Sequence, residues 1–135
     1  MKPDLELAAR LAPLLSRLGE KELARKPCRV SPETLLRWMD EGEKVLLLDV
    51  RTPPETSLVG FRYSHTLEVP LNELLTEENL KRLASYEGWK LVVACRSGVR
   101  SLVAAFVLRA VGFENAYSLE GGLVEFARTV RCRGP

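Results

Sequence analysis

The feature that most constrains this chain is an alternation of short apolar runs with helical patterns, which begins at residue 28. The runs 45–50 and 91–94 are short and almost unbroken, as expected for strands that are covered on both faces. The stretches 32–41 and 101–111 instead repeat apolar residues at helical spacing. Strands that alternate with helices form parallel sheets, so the pattern predicts an α/β domain with a mainly parallel central sheet.

Weaker signals fill in the rest of this pattern. A first strand is expected to start at Cys28. The remaining expected elements are an irregular loop over 51–65, a strand over 67–69, one or two helices within 71–83, a strand over 115–118 and a helix over 123–128.

The N-terminal part predicts a separate helix. Leucines at spacings of four and three extend over 4–25, and Pro13 either bends this helix or divides it in two. We expect it to pack on the domain's own core rather than to pair subunits. The expected organisation is an N-terminal helical extension over 1–27, one domain over 28–130 and a C-terminal tail over 131–135.

The composition limits what such a domain can do. At 135 residues the chain fits one domain, and a formal net charge of +2 lacks the basic excess of a nucleic-acid binder. Three widely spaced cysteines and one histidine argue against a disulfide framework and against a structural zinc site. No stretch is apolar enough for a secretory leader or a membrane span. We therefore expect a cytoplasmic protein that binds neither nucleic acid nor membrane and holds no metal.

The segment that carries chemistry is the loop after the strand 91–94. It places Cys95 at the start of the sequence CRSGVRS, which opens the next helix. Ligands of open α/β sheets bind beyond the carboxyl ends of the strands. The helix N-terminus and the guanidinium groups of Arg96 and Arg100 make this region positive, and Gly98 lets successive amides turn inward. Because such surroundings stabilise a thiolate, the sequence predicts that Cys95 is a nucleophile rather than an inert core cysteine.

Several segments, taken in order, resemble the single-domain rhodanese family. They are the helix SPETLLRWMDEG before the strand VLLLDVR, the acid Glu55, the segment LEVPL, the loop CRSGVRS and the segment EGGLVEF. The resemblance covers roughly residues 28 to 130. The family usually has Gly-His after the acid and a Trp after the Gly-Gly pair, where this chain has Gly60-Phe61 and Phe126. These departures leave the CRSGVRS loop intact.

The resemblance implies a rhodanese-like three-layer α/β/α domain and a sulfurtransferase that needs no cofactor. It implies that the Cys95 thiolate takes the outer sulfur of thiosulfate or a similar small anion and holds it as a persulfide. The sulfur would then pass to cyanide, to a cellular thiol or to a protein acceptor. The loop amides would stabilise the sulfur anion, and two arginines would hold the donor's anionic oxygens. The implied substrate loop consists of Arg96, Ser97, Gly98, Val99, Arg100 and Ser101.

Three charged residues outside the loop are expected to support this site. Asp49 and Arg51 match the family's strand-end Asp-Val-Arg segment, and such residues often pair locally. Glu55 is expected either to pair with Arg51 or to lie solvated in its loop. In the tail, Cys132 is expected to be exposed.

Two other functions stay open at this point. Cysteine phosphatases and arsenate reductases use a similar loop with five residues between Cys and Arg, whereas here only four separate Cys95 from Arg100. The shorter loop suits a sulfur atom better than a phosphoryl group. Rhodanese-like domains also serve as sulfur-relay or regulatory binding modules, although inactive copies are expected to lose the cysteine that this chain keeps.

Overall fold

A five-stranded parallel sheet forms the centre of the fold in the computed structural model, which describes residues 1–21 and 28–132 but not the side chain of Cys132. The strands in chain order are β1 (Arg29–Val30), β2 (Val45–Asp49), β3 (Thr66–Glu68), β4 (Lys90–Ala94) and β5 (Ala116–Leu119). Across the sheet their order is β1-β5-β4-β2-β3, and every neighbouring pair is parallel. The predicted α/β fold with a mainly parallel sheet is confirmed.

Helices connect the strands and cover both faces of the sheet. Ser31 begins the first connecting helix, because its hydroxyl accepts a hydrogen bond from the Thr34 N–H at 3.1 Å and Pro32 occupies a position that needs no N–H donor. None of the described helices is long and apolar enough to cross a membrane. The helices are α1 (Leu5–Ser16), α2 (Pro32–Asp40), α3 (Pro53–Leu58), α4 (Glu77–Ala84), α5 (Val99–Ala110) and α6 (Gly122–Cys132), with a 3-10 turn over Leu71–Glu73.

The core consists of two apolar clusters, one on each face of the sheet. Successive side chains of a strand point to opposite faces, so β2 and β4 contribute alternate residues to the two clusters. Leu83 of α4 and Leu108 of α5 pack on one face, and Leu35 of α2 packs on the other. Because both faces are covered, even the middle residues of these strands have no exposed surface, which explains their unbroken apolar sequence.

Three elements differ from the sequence prediction by more than one or two residues, and β1 begins at Arg29 rather than at the predicted Cys28. The predicted loop 51–65 contains the short helix α3. Thr52 directly precedes the two prolines that start this helix, Glu55 directly follows them, and the two residues form a capping box. The N-terminal helix ends at Ser16 rather than near residue 25, and Pro13 lies inside it. The part of that prediction over 22–25 lies outside the described residues, as does the exposure predicted for Cys132. The last helix continues beyond the predicted 128 to Cys132.

Candidate active site

Cys95 directly follows β4, at the carboxyl edge of the sheet. The strand β4 lies between β5 and β2, so the cysteine is at the centre of this edge. Cys95 is 1% exposed. The chain then turns through Gly98, whose φ of 101° lies in the left-handed region, and enters α5 at Val99. The tight turn brings the beginning of α5 back over the sulfur.

The sulfur of Cys95 is surrounded by hydrogen-bond donors. The Gly98 N–H donates to Sγ at 3.1 Å, the Ser101 N–H donates at 3.4 Å, and the Ser101 Oγ lies 3.5 Å from it. Burial raises the pKa of Cys95, but hydrogen bonds from the hydroxyl and amide of Ser101 and from the Gly98 and Ser97 amides outweigh it, so that the pKa is lowered. The loop therefore stabilises a negative charge on sulfur.

Arg100 pairs with Glu55 of α3. Its two terminal nitrogens donate to the two carboxylate oxygens at 2.7 and 2.9 Å, a bidentate pair. The Arg100 guanidinium and the Thr52 N–H hold the pKa of Glu55 well below its usual range. Glu55 is expected from the sequence either to pair with Arg51 or to lie solvated in its loop, and both expectations are wrong because its ion-pair partner is Arg100. The carboxylate faces Arg100 because the capping box turns this segment into a helix, which the sequence analysis took for a loop.

Asp49 and Arg51 form a buried ion pair at the end of β2. Arg51 donates to Asp49 through Nε at 3.0 Å and through Nη2 at 2.8 Å, and the residues are 4% and 0% exposed, respectively. The Asp49 carboxylate, as hydrogen-bond acceptor and as charge, raises the pKa of Arg51 against the opposing effect of burial. The same guanidinium donates to the Val59 carbonyl at 2.7 Å. The pair thus ties the end of α3 to the sheet and makes no hydrogen bond to Cys95.

The outer side of the loop is open to solvent. Arg96, Ser97 and Val99 are exposed, Val99 to 71%. Within residues 1–21 and 28–132, nothing accepts a hydrogen bond from the Arg96 side chain or forms an ion pair with it. Of the two loop arginines, Arg96 is therefore the one whose guanidinium is available to an anionic ligand.

The first turn of α6 supports the loop through hydrogen bonds to its backbone. The Leu123 N–H donates to the Cys95 carbonyl at 2.8 Å, and the Val124 N–H donates to the Arg96 carbonyl at 3.2 Å. Gly122 has a φ of 61°, and a Cβ there would lie 2.5 Å from the Cys95 carbonyl oxygen. Only glycine fits this contact. In the sequence, the Gly-Gly pair supports a family resemblance but does not by itself indicate this role.

One buried residue near the sulfur was missed altogether. Ser118 of β5 is 1% exposed, and its Oγ lies 2.8 Å from the Ser101 Oγ. No local signal marks it, because the contact depends on how β5 and α5 pack. Elsewhere in the described part of the chain, no group of three or more His, Cys, Asp or Glu residues could hold a metal ion.

Comparisons with known proteins point to one family. A family model described as Rhodanese-like domain matches residues 31–129. The chain is 32% identical over 108 residues to the probable adenylyltransferase/sulfurtransferase MoeZ of Mycobacterium tuberculosis, covering 80% of this chain and 26% of that protein. It is 32% identical over 114 residues to the tRNA uridine(34) hydroxylase of Paraburkholderia xenovorans, covering 81% of this chain and 39% of that protein. The chain thus spans well under half the length of these two relatives.

A solved structure gives a match of more equal length. The human single-domain sulfurtransferase TSTD1 superposes with a TM-score of 0.60 at 26% identity. The superposition covers 75% of this chain and 96% of the human chain.

Proposed function

This chain belongs to the rhodanese-like domain family, and from that premise we propose that it transfers sulfane sulfur from thiosulfate, or a similar small anion, through a persulfide on Cys95. The observation that carries the proposal is the pair of N–H groups, from Gly98 and Ser101, that donate to Sγ, with the Ser101 hydroxyl oxygen 3.5 Å away. These groups favour the thiolate, which is the nucleophilic form of cysteine. The same groups are positioned to stabilise the anionic outer sulfur of the persulfide that forms next.

The reaction consists of two displacements. In the first, the Cys95 thiolate attacks the outer sulfur of thiosulfate, the sulfur–sulfur bond of the donor breaks, and sulfite leaves with the bonding electron pair. In the second, a thiophilic acceptor attacks the outer sulfur of the persulfide and the Cys95 thiolate leaves. Neither step needs a proton, an oxidant or a cofactor. Cyanide and small thiols are suitable acceptors, and a protein thiol is a further candidate.

The two loop arginines have different roles in this proposal. Arg96 binds the anionic oxygens of the donor, because its guanidinium is exposed and has no partner among the described residues. Arg100 is a positioning residue, because Glu55 already accepts from both of its terminal nitrogens. The pair attaches α3 to the loop. Asp49 and Arg51 support the site indirectly, since Arg51 binds the end of α3, the helix that contains Glu55.

Mass spectrometry of the intact protein tests the proposal directly. After incubation with thiosulfate, we expect a gain of one sulfur atom on Cys95, which cyanide then removes. The matched control is Cys28→Ala, which leaves the loop unchanged and is expected to load sulfur normally, whereas Cys95→Ala is expected to load none at this position.

Two results would contradict the proposal. One is a folded protein that gains no sulfur on Cys95 from thiosulfate or from other sulfane donors, which would favour a binding module. The other is Cys95-dependent hydrolysis of an aryl phosphate, which would favour the phosphatase reading of the loop.

A further inference from the structure

Ser118 lies behind the reactive cysteine and takes no part in the steps above. It belongs to β5, is 1% exposed and faces Ser101, which is itself fully buried. The two hydroxyl oxygens are 2.8 Å apart, and the Ser101 Oγ is 3.5 Å from the Cys95 Sγ. The three side chains thus form a short buried row that ends at the sulfur.

The direction of the hydrogen bonds in this row follows from counting protons. A serine hydroxyl has one proton to donate and two lone pairs that accept. Within the described residues, the Ser118 Oγ has no hydrogen-bond partner other than the Ser101 Oγ, and no buried side-chain polar atom lacks a partner. A buried O–H that donates to nothing is costly. The Ser118 proton is therefore used in the bond to Ser101, and Ser118 is the donor.

This direction decides what Ser101 can do. Because Ser101 accepts from Ser118, its own proton is free to point at the sulfur. A neutral thiol that also donated to Ser101 would leave the Ser101 proton without an acceptor, whereas a thiolate accepts it. The row therefore favours the ionised cysteine over the neutral one.

We propose that Ser118 is a positioning residue, which commits the hydroxyl proton of Ser101 to the sulfur of Cys95 by donating its own proton to Ser101. The inference rests on the proposed function, since it assigns Ser118 to the same nucleophile. It adds a residue outside the loop, on a different strand, that sets the reactivity of the loop cysteine. The same arrangement serves the persulfide, which also carries its charge on sulfur.

The test is the pH dependence of Cys95 alkylation by iodoacetamide, measured by mass spectrometry on the peptide that contains Cys95. Loss of the Ser118 hydroxyl in Ser118→Ala is expected to move the midpoint of the profile to higher pH. At neutral pH the alkylation rate is expected to fall by a factor of about 3–10, the size of a partly lost hydrogen bond to a charged group. Ser118→Thr, which keeps a hydroxyl, is expected to restore the wild-type midpoint.

A double-mutant comparison separates positioning from packing. Ser118 acts through Ser101, so Ser118→Ala is expected to cause no further shift in a Ser101→Ala background. An equal shift in both backgrounds would overturn the proposal, and so would an unshifted profile in a Ser118→Ala protein that unfolds at the wild-type temperature. Alkylation does not require sulfur transfer, so these results test the role of Ser118 even if thiosulfate does not load sulfur onto Cys95.

The variants leave the charged groups around the cysteine in place, so a shift cannot come from a changed ion pair. These groups are Arg96 and Arg100 on the loop, Glu55 of α3, Asp49 and Arg51 at the end of β2, and Glu120 and Glu125 near the start of α6.

Discussion

Arg96 and Arg100 carry the same charge on the same loop, yet their surroundings differ. Glu55 accepts from both terminal nitrogens of Arg100, while the Arg96 side chain is exposed and makes no such pair within the described residues. An anion that used Arg100 would first have to displace a carboxylate whose pKa is already far below normal. The availability of donors, rather than the number of charges, therefore distinguishes the two residues.

We expect Arg96→Ala to raise the KM for thiosulfate by about five- to twentyfold and to leave kcat nearly unchanged. The change removes a charge-assisted hydrogen bond that solvent partly screens. Steady-state kinetics with cyanide as acceptor measures it. Arg82→Ala on α4 removes an equal charge from an exposed position and is the control. If only Arg100→Ala raised the KM, the assignment of the two arginines would be reversed.

Glu55→Gln tests the ion pair through the pH dependence of stability. The folded-state pKa of Glu55 lies below its ordinary value of 4.5, so the pair stabilises the fold above that pH and its contribution is lost as the pH falls. We expect the variant to be less stable than the wild type at neutral pH, by a difference that shrinks as the pH passes below 4.5. Urea denaturation at a series of pH values measures this difference. A gap that stays constant down to low pH would show that the charge of Glu55 is not its source.

At the scale of elements, the start of α6 is part of the candidate active site although it lies far along the chain. Its first N–H groups donate to the carbonyls of Cys95 and Arg96, which satisfies donors that every helix leaves unpaired in its first turn. The loop is thus held between two helix N-termini. That of α5 surrounds the sulfur, and that of α6 fixes the backbone of the loop.

Gly122→Ala is expected to destabilise the fold and to abolish sulfur loading on Cys95. A Cβ at this position would lie 2.5 Å from the Cys95 carbonyl oxygen and 2.6 Å from the Arg96 carbonyl carbon. Gly42→Ala is the matched control, because Gly42 has a similar φ of 72° and no atom within 4 Å of an added Cβ. The control should lose only the about 1–2 kcal/mol of left-handed backbone strain and should load sulfur normally. If both variants lost the same stability and the same sulfur loading, backbone strain alone, and not the contact with the loop, would explain the effect.

Local sequence predicts some of these elements better than others. The strands β2 and β4 could be predicted because burial on both faces leaves a continuous apolar run. The helix α3 could not, since two prolines read as a loop unless the capping box is recognised. Cys95 could be proposed as the nucleophile from the sequence because the residues that suggest this role all lie within a few positions of it. The contacts of Glu55 and Ser118 could not, because each depends on the packing of two separate elements.

At the scale of the whole molecule, α1 packs on the surface of the domain that carries the site, against α5. It has no buried residue, and its Leu14 and Leu15 line an apolar groove of about 620 Å³ together with residues of α5. All the residues assigned to the site lie between Asp49 and Val124. We propose that 28–130 is the rhodanese-like domain and 1–27 an extension that the chemistry does not need.

Deletion of residues 1–27 is therefore expected to leave sulfur loading unchanged and to lower the free energy of unfolding by less than about 2 kcal/mol, because little apolar surface is lost. Denaturant unfolding and mass spectrometry measure the two effects. As a reference for real core damage, Leu35→Ala removes a side chain with 0% exposure and should cost about 2–5 kcal/mol. A truncated chain that folds but no longer loads Cys95 would show that the extension contributes to the site.

The contact between α6 and the loop also has a consequence for how the protein is made. A ribosome synthesises the loop before the helix that fixes it. The Cys95 carbonyl therefore has no Leu123 N–H to accept from until α6 has been made. Until α6 is complete and docked, the backbone of the loop lacks the two hydrogen bonds that fix it. The loop therefore reaches its final conformation only after this later helix has docked.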